Sequence, residues 1–177
     1  MKKLIYLCMA LVMMVAVSCE KDEVGGTATQ SLAGEWVVKV SLVDANGSVI
    51  KEDPYGLGKF TINTYNTAAN TASEMWVDDK DNFWSFKVKV PANPDAQTFG
   101  SAVAVKNTIV TEPQEGDPYY CDVTLSGGKV LNMAGRQNNG SAADSIAFYV
   151  SFSDDDPGTR YLVSGVRYSG LVENQTN

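Results

Sequence analysis

The chain has 177 residues, 14 basic against 21 acidic, no histidine, and a formal net charge of −7. That balance excludes an ordinary nucleic-acid binder, which must neutralise phosphates with basic side chains. The missing histidine removes Ser-His-Asp and Cys-His nucleophiles and histidine-ligated zinc together, and nothing in the composition calls for a cofactor or a metal.

Lys2 and Lys3 precede an apolar run from Leu4 to Val17, broken by Tyr6 and Cys8. The run is short for a membrane span and reads as an export signal, which sets residues 1–18 apart from the fold. Its end, Ala16-Val17-Ser18-Cys19, resembles the lipobox of bacterial lipoproteins, with Ala16 in place of the commoner leucine, a change that lipoboxes of the Bacteroidetes tolerate. The resemblance implies that Cys19 becomes a lipid-modified N-terminus; ordinary cleavage leaving a free cysteine is the plainer alternative. Glu20-Lys21-Asp22-Glu23 resembles the signal that sends Bacteroidetes lipoproteins to the outer face of the outer membrane, while a solvated tether has the same composition. Val24 to Ser31 is small, polar and glycine-bearing, so residues 19–32 are expected to form a flexible tether. Loss of residues 1–18 removes two lysines and no acid, so lipid rather than charge would hold a membrane. With Cys8 gone and Cys19 modified, Cys121 has no disulfide partner and reads as a small buried hydrophobe.

The remaining residues, enough for one domain with a real core, are read as a domain over 33–172 and a tail over 173–177. Their hydrophobic period is two. Trp36, Val38, Val40 and Leu42 share one face of a first strand; Asn46-Gly47 turns into a short return strand, Val49–Lys51. After the loop Glu52–Gly58, Lys59–Tyr65 is a strand with Phe60, Ile62 and Thr64 in phase. Glu74–Asp78 is predicted to pass through a turn at Asp79–Asn82 into Phe83–Val90, which places Trp84, Phe86, Val88 and Val90 on one face and ends at Pro91. Thr98–Val105 reads as a strand and Thr111–Pro118 as a loop. Tyr119–Ser126 and Lys129–Met133 read as a hairpin about Gly127-Gly128, with Ala134–Ala142 a loop. Ile146, Phe148, Val150 and Phe152 alternate with Ala147, Tyr149 and Ser151; Ser153–Thr159 turns, and Arg160–Ser169 closes the domain. Eight to ten short strands joined by turns give the sequence form of a sandwich or barrel.

Gly34-Glu35-Trp36 resembles the Gly-x-Trp motif that opens the first strand of lipocalins and related calycins. The resemblance implies an antiparallel up-and-down β-barrel of about eight strands, with Trp36 at its closed end and Arg167 stacked across the indole where the first and last strands meet. Any core tryptophan is the plainer reading of the motif. Thr64–Asn70, Glu74–Val90 and Phe152–Gly170 are together similar to the blocks of a Bacteroidetes lipoprotein family described as lipid-binding putative hydrolases, with a lipocalin-like barrel. That resemblance implies a lipid-binding role and carries over no catalytic residue.

The chemistry legible in the residues is sparse. Asp78, Asp79 and Asp81 fall in one turn and Asp154, Asp155 and Asp156 in another; such acids serve an acid–base pair or a calcium site if brought together, and plain turns otherwise. Trp84 and Phe86 are candidate cavity-wall residues, and Trp76, on the opposite alternation, a candidate for outward contact. Tyr65, Tyr119 and Tyr149 are candidates for orienting a polar head group. The expected function is binding of a small hydrophobic or amphipathic ligand, a lipid or fatty acid, in the hollow interior of the barrel, by a surface-anchored protein whose neighbours include other surface lipoproteins. The rival readings are a lipid-ester hydrolase using carboxylates and a glycan-binding or scaffold component of a carbohydrate-uptake system.

Overall fold

The computed structural model describes residues 25–109 and 121–174; Cys19, the acidic run after it, the expected loop Thr111–Pro118 and Tyr119 lie outside the described residues. Ten strands are described: β1 (Gly34–Val43), β2 (Val49–Glu52), β3 (Phe60–Asn66), β4 (Glu74–Asp78), β5 (Lys87–Asn93), β6 (Thr98–Phe99), β7 (Val105–Lys106), β8 (Asp122–Arg136), β9 (Ala142–Phe152) and β10 (Arg160–Arg167). Eight follow one another around a ring, β1-β3-β4-β5-β6-β8-β9-β10, each antiparallel to its neighbours, and β10 returns to pair with β1. β2 and β7 stay off the ring, paired with β1 and β8. The fold is all-β, a closed lipocalin-like antiparallel barrel of eight strands.

Alternation sorts the side chains. Trp36, Val38 and Val40 of β1, Met75 and Val77 of β4, Val88 and Val90 of β5, and Ile146, Phe148 and Val150 of β9 join one buried cluster inside the ring. None of these is more than 3% exposed, so the interior they share is close-packed side chain. This is how a narrow eight-stranded barrel fills when its inward residues are large.

The closed end is built on Trp36. Its indole N–H donates to Thr64 Oγ1 at 2.8 Å, and the Thr64 hydroxyl donates to the Leu32 carbonyl at 2.6 Å. Leu32 and Thr29 are fully buried in the turn before β1, so the barrel's packing begins inside the stretch expected to be tether. The composition of that stretch is spacer-like, but Leu32 joins the buried cluster and Thr29 is buried beside it in sequence. Trp36 and Arg167 are register partners across the β1–β10 seam, with the guanidinium carbon 4.4 Å from the ring centroid. Arg167 Nε donates to Asp144 at 3.0 Å and Nη1 to the Ala33 carbonyl. A Cβ at Gly34 would run into that guanidinium, so the close approach requires glycine there.

Several expected boundaries change. Phe83–Phe86 is not strand; β5 begins at Lys87 and runs through Pro91 to Asn93. Pro91 fits because its carbonyl accepts from Gly100 N–H at 2.8 Å and its nitrogen points to that same side, where β6 is two residues long. The expected strand Thr98–Val105 is split into β6 and β7 by residues 100–104. The expected hairpin at Gly127-Gly128 is a bulge within one long strand, β8: Ser126 pairs with Tyr149 and Lys129 with Ala147, so both halves follow the same partner strand. Gly127 supplies the left-handed conformation (φ +63°) that the extra residue needs. Because β8 runs on to Arg136, the expected loop Ala134–Ala142 shrinks to the tight turn at 137–141.

Replacing Arg167 with alanine removes the stack on Trp36, the ion pair to Asp144 and the bond to Ala33 together. The expected loss is about 2–3 kcal/mol of unfolding free energy by urea titration, with lysine recovering less than half because a point charge cannot reproduce the guanidinium fork.

Candidate functional site

At the end opposite Trp36, the loops β2–β3, β4–β5 and β9–β10 converge on the barrel mouth. Tyr55, Phe83, Trp84, Phe152 and Tyr161 form one cluster of rings there. Trp84 lies flat on Phe152, with centroids 4.6 Å apart and planes at 6°, and Phe83 meets Tyr161 edge-on at 5.3 Å. Phe86 continues the cluster inward against Phe152 at 5.6 Å. Tyr161 is fully buried, whereas Tyr55 is 50% exposed and the nearby Leu57 37% exposed. Such pairs contribute about 0.5–1.5 kcal/mol each beyond area burial.

Trp84 and Phe83 occupy these positions because of Asp79. This carboxylate is fully buried and accepts four backbone N–H groups: Asp81 at 3.0 Å, Phe83 at 3.2 Å, Trp84 at 2.8 Å and Phe86 at 2.9 Å. Burial raises its pKa from the ordinary aspartate value, outweighing the N–H bonds that pull it down. The loop around it is strained, with Lys80, Asp81 and Ser85 all in the left-handed region (φ +55°, +64° and +51°), a conformation that costs non-glycine residues roughly 1 kcal/mol each. Asp79 is therefore the organising residue of the turn. Asp81 accepts from the Ser85 hydroxyl, and Asp81 N–H in turn is spent on Asp79.

The second acidic turn reaches the same mouth. Trp84 Nε1 donates to Asp154, 3.2 and 3.3 Å from its two oxygens, and Tyr161 donates to Asp155 Oδ2 at 2.6 Å. The Tyr55 and Tyr161 oxygens lie 2.5 Å apart. Burial first, then its bonds to Asp155 and Tyr55, drives the Tyr161 phenol well above the ordinary tyrosine range. Cys121 is buried beside the same turn, its thiol pushed up to about 11 by burial and then by Asp154, so it is an inert thiol at neutral pH. Among the described residues no group of three or more acidic, cysteine or histidine side chains is arranged to hold a metal. A cleft of about 340 Å³ opens at the rim between Phe152, Asp155, Asp156 and Arg160.

The other candidates lie elsewhere. Tyr65 and Trp76 are register partners on the outside of β3 and β4, where Lys87 Nζ sits 5.4 and 5.5 Å from their ring centroids. The Tyr65 phenol donates to Asp78 at 2.9 Å, and Lys87 and Lys89 pair with Asp78 and Glu74. Tyr149 faces out from β9 under the Arg160 guanidinium at 4.5 Å. These three rings decorate the outer wall and do not meet Trp84 and Phe86. Tyr55, Phe83, Phe152 and Tyr161 complete the mouth and were not singled out from the sequence. Phe152 and Tyr161 sit at inward positions of periodic strands, a usable signal; Tyr55 and Phe83 sit in loops, where periodicity says nothing.

Residues 21–172 match the family described as lipid-binding putative hydrolase. The chain belongs to this family. Among curated proteins none matches the sequence. For this family member, a lipid-binding role rests on the family match together with the closed barrel.

Replacing Asp79 with asparagine turns two of the four acceptor sites into a donor facing N–H groups. Unfolding by urea should show a loss of about 2–4 kcal/mol, against less than about 1 kcal/mol for Asp81→Asn at the exposed edge of the same turn.

Proposed function

We propose that the protein holds a single-chain amphipathic lipid at the barrel mouth, the apolar chain among Phe83, Trp84, Phe152 and Tyr161 and the polar end at the rim. The observation that carries this reading is the ring cluster itself, with Tyr55, Phe83 and Trp84 borne on loops and Phe152 and Tyr161 on strands. The waist of the barrel is packed, so the apolar surface left for a ligand is at the mouth, where Phe83 and Trp84 stand on a loop that the Asp79 carboxylate holds in place. Each methylene taken out of water there contributes about 0.8 kcal/mol.

The reading extends to where the protein works. Cys19 carries the lipid anchor and the acidic run after it directs the chain to the outer face of the outer membrane, among other surface lipoproteins. The sequence around Cys19 supports this, since Ser18-Cys19 follows an apolar run and precedes Glu20-Lys21-Asp22-Glu23. Palmitate labelling in the producing cell should mark the wild-type chain and leave Cys19→Ala unlabelled; equal labelling of both would remove the anchor from the proposal.

For the binding site, titration with a twelve-carbon amphiphile followed by calorimetry distinguishes the two tryptophan faces. Trp84→Ala should weaken binding roughly ten- to a hundredfold, about 1.4–2.7 kcal/mol, and Trp76→Ala should leave it within about twofold. The reverse ranking would move the site to the outer wall, where the glycan-binding reading has its aromatic pair.

A further inference from the structure

At the closed end of the barrel, away from the mouth, lies an open cleft of about 490 Å³ that the lipid reading does not use. Five elements meet there: Gln30 and Ser31 come from the turn before β1, Gln97 from the β5–β6 turn, and Asn132, Asp144 and Arg167 from β8, β9 and β10. Asp144 and Arg167 are the only charged groups in the lining and pair at 3.0 Å, so the cleft carries no net charge. No aromatic or large apolar side chain lines it.

The hydrogen bonds within the cleft leave both donors and acceptors over. Gln97 Nε2 donates to Asn132 Oδ1 at 3.1 Å, which orients both amides and leaves Asn132 Nδ2 to donate and Gln97 Oε1 to accept. Arg167 spends Nε on Asp144 and Nη1 on the Ala33 carbonyl, leaving Nη2 to donate. Its stack on Trp36 holds that guanidinium in place. The Asp144 carboxylate accepts from Met133 N–H at 3.0 Å and from Arg167, and keeps further lone pairs. The backbone is bent to make this arrangement. Gln97 and Met133 both lie in the left-handed region (φ +54° and +52°), a costly conformation for residues other than glycine, and one that folds retain where the surroundings use it. β8 shifts register against β9 between Leu131 and Gly135, so Asn132 stands on a bulge, the device by which a strand re-aims a side chain.

We propose that this cleft binds an uncharged saccharide, its neighbouring hydroxyls bridging the Asn132–Gln97 amide pair and the Asp144–Arg167 ion pair. Each sugar hydroxyl both donates and accepts, so adjacent hydroxyls match adjacent donor–acceptor pairs. An acyl chain finds no apolar wall here, and an anion gains nothing from a guanidinium already neutralised by Asp144. Because the planar groups are held before a ligand arrives, little ordering is left for binding to do. The site goes beyond the lipid reading and is independent of it, since it lies at the other end of the barrel.

The test presents the fluorescently labelled full chain to an array of immobilised oligosaccharides, neutral and uronate-bearing, and titrates the best-retained neutral one by heteronuclear NMR. Neutral oligosaccharides should be retained in preference to uronates, with amide shifts at Gln97, Met133 and Asp144. Asn132→Ala and Gln97→Gly should each weaken binding roughly three- to tenfold. Glycine suits the left-handed backbone of residue 97, so this second variant keeps the fold even if the first does not. Trp76→Ala on the outer wall should leave binding within about twofold. Retention of no neutral oligosaccharide, preference for uronates, indifference to both cleft variants, or loss on Trp76→Ala would each overturn the saccharide site and leave lipid binding at the mouth untouched.

Discussion

The seam between β1 and β10 is the constraint on which the other features rest. A strand pair that joins the first and last elements of the ring must be specified across more than a hundred residues, and it has no turn to set its register. Trp36 and Arg167 set it, as direct partners with the guanidinium over the indole, Asp144 holding Nε and the Ala33 carbonyl holding Nη1. A slip by one residue would turn Trp36 out of the core and every inward side chain of β1 with it. Closure also removes the two sheet edges that would otherwise invite further strand pairing.

Closure with large inward residues has a consequence for function. The interior that a wider barrel would leave for a ligand is taken up here by Trp36, Met75, Phe148 and their neighbours, all out of contact with water. The apolar surface left at the rim is made by Tyr55, Phe83 and Trp84 on loops beside the strand-end rings of Phe152 and Tyr161. Asp79 is the price of putting two aromatics on such a loop: a buried carboxylate gathers four N–H groups that a strained turn would leave unpaired.

The acidic turns illustrate how one residue pattern serves different ends. Asp79 is structural, buried and saturated with N–H bonds. Asp154 and Asp155, in an equally turn-like sequence, cap an indole and a phenol at the mouth and keep acceptor capacity towards solvent. Both turns read as Asp-rich loops, and nothing local separates them. Their roles diverge because the first folds back on its own backbone while the second meets the Tyr161 phenol just after it and reaches the Trp84 indole on the β4–β5 loop.

The all-β class and most strands were legible because alternation with period two is a local property: β1, β3, β4 and β9 declare their inward faces residue by residue, while the choice of a barrel over a sandwich came from the resemblance carried by Gly34-Glu35-Trp36 and the later blocks. The errors fell where local signals point to a turn and tertiary pairing overrides them, as at Gly127-Gly128, where β9 supplies a continuous partner and the diglycine becomes a bulge, and at Pro91, which β5 tolerates because its neighbour there is so short. The site was legible only in part. Trp84 and Phe86 lie at the mouth, but Tyr65, Trp76 and Tyr149 face outward, and Tyr55, Phe83, Phe152 and Tyr161 were not foreseen. By itself the sequence determined that strands alternate, that they suffice for a barrel and to which family they belong. Only the tertiary structure decided which loops share a mouth and in which direction its protons point, because those depend on contacts between residues as far apart in the chain as Tyr55 and Tyr161, which no local pattern encodes.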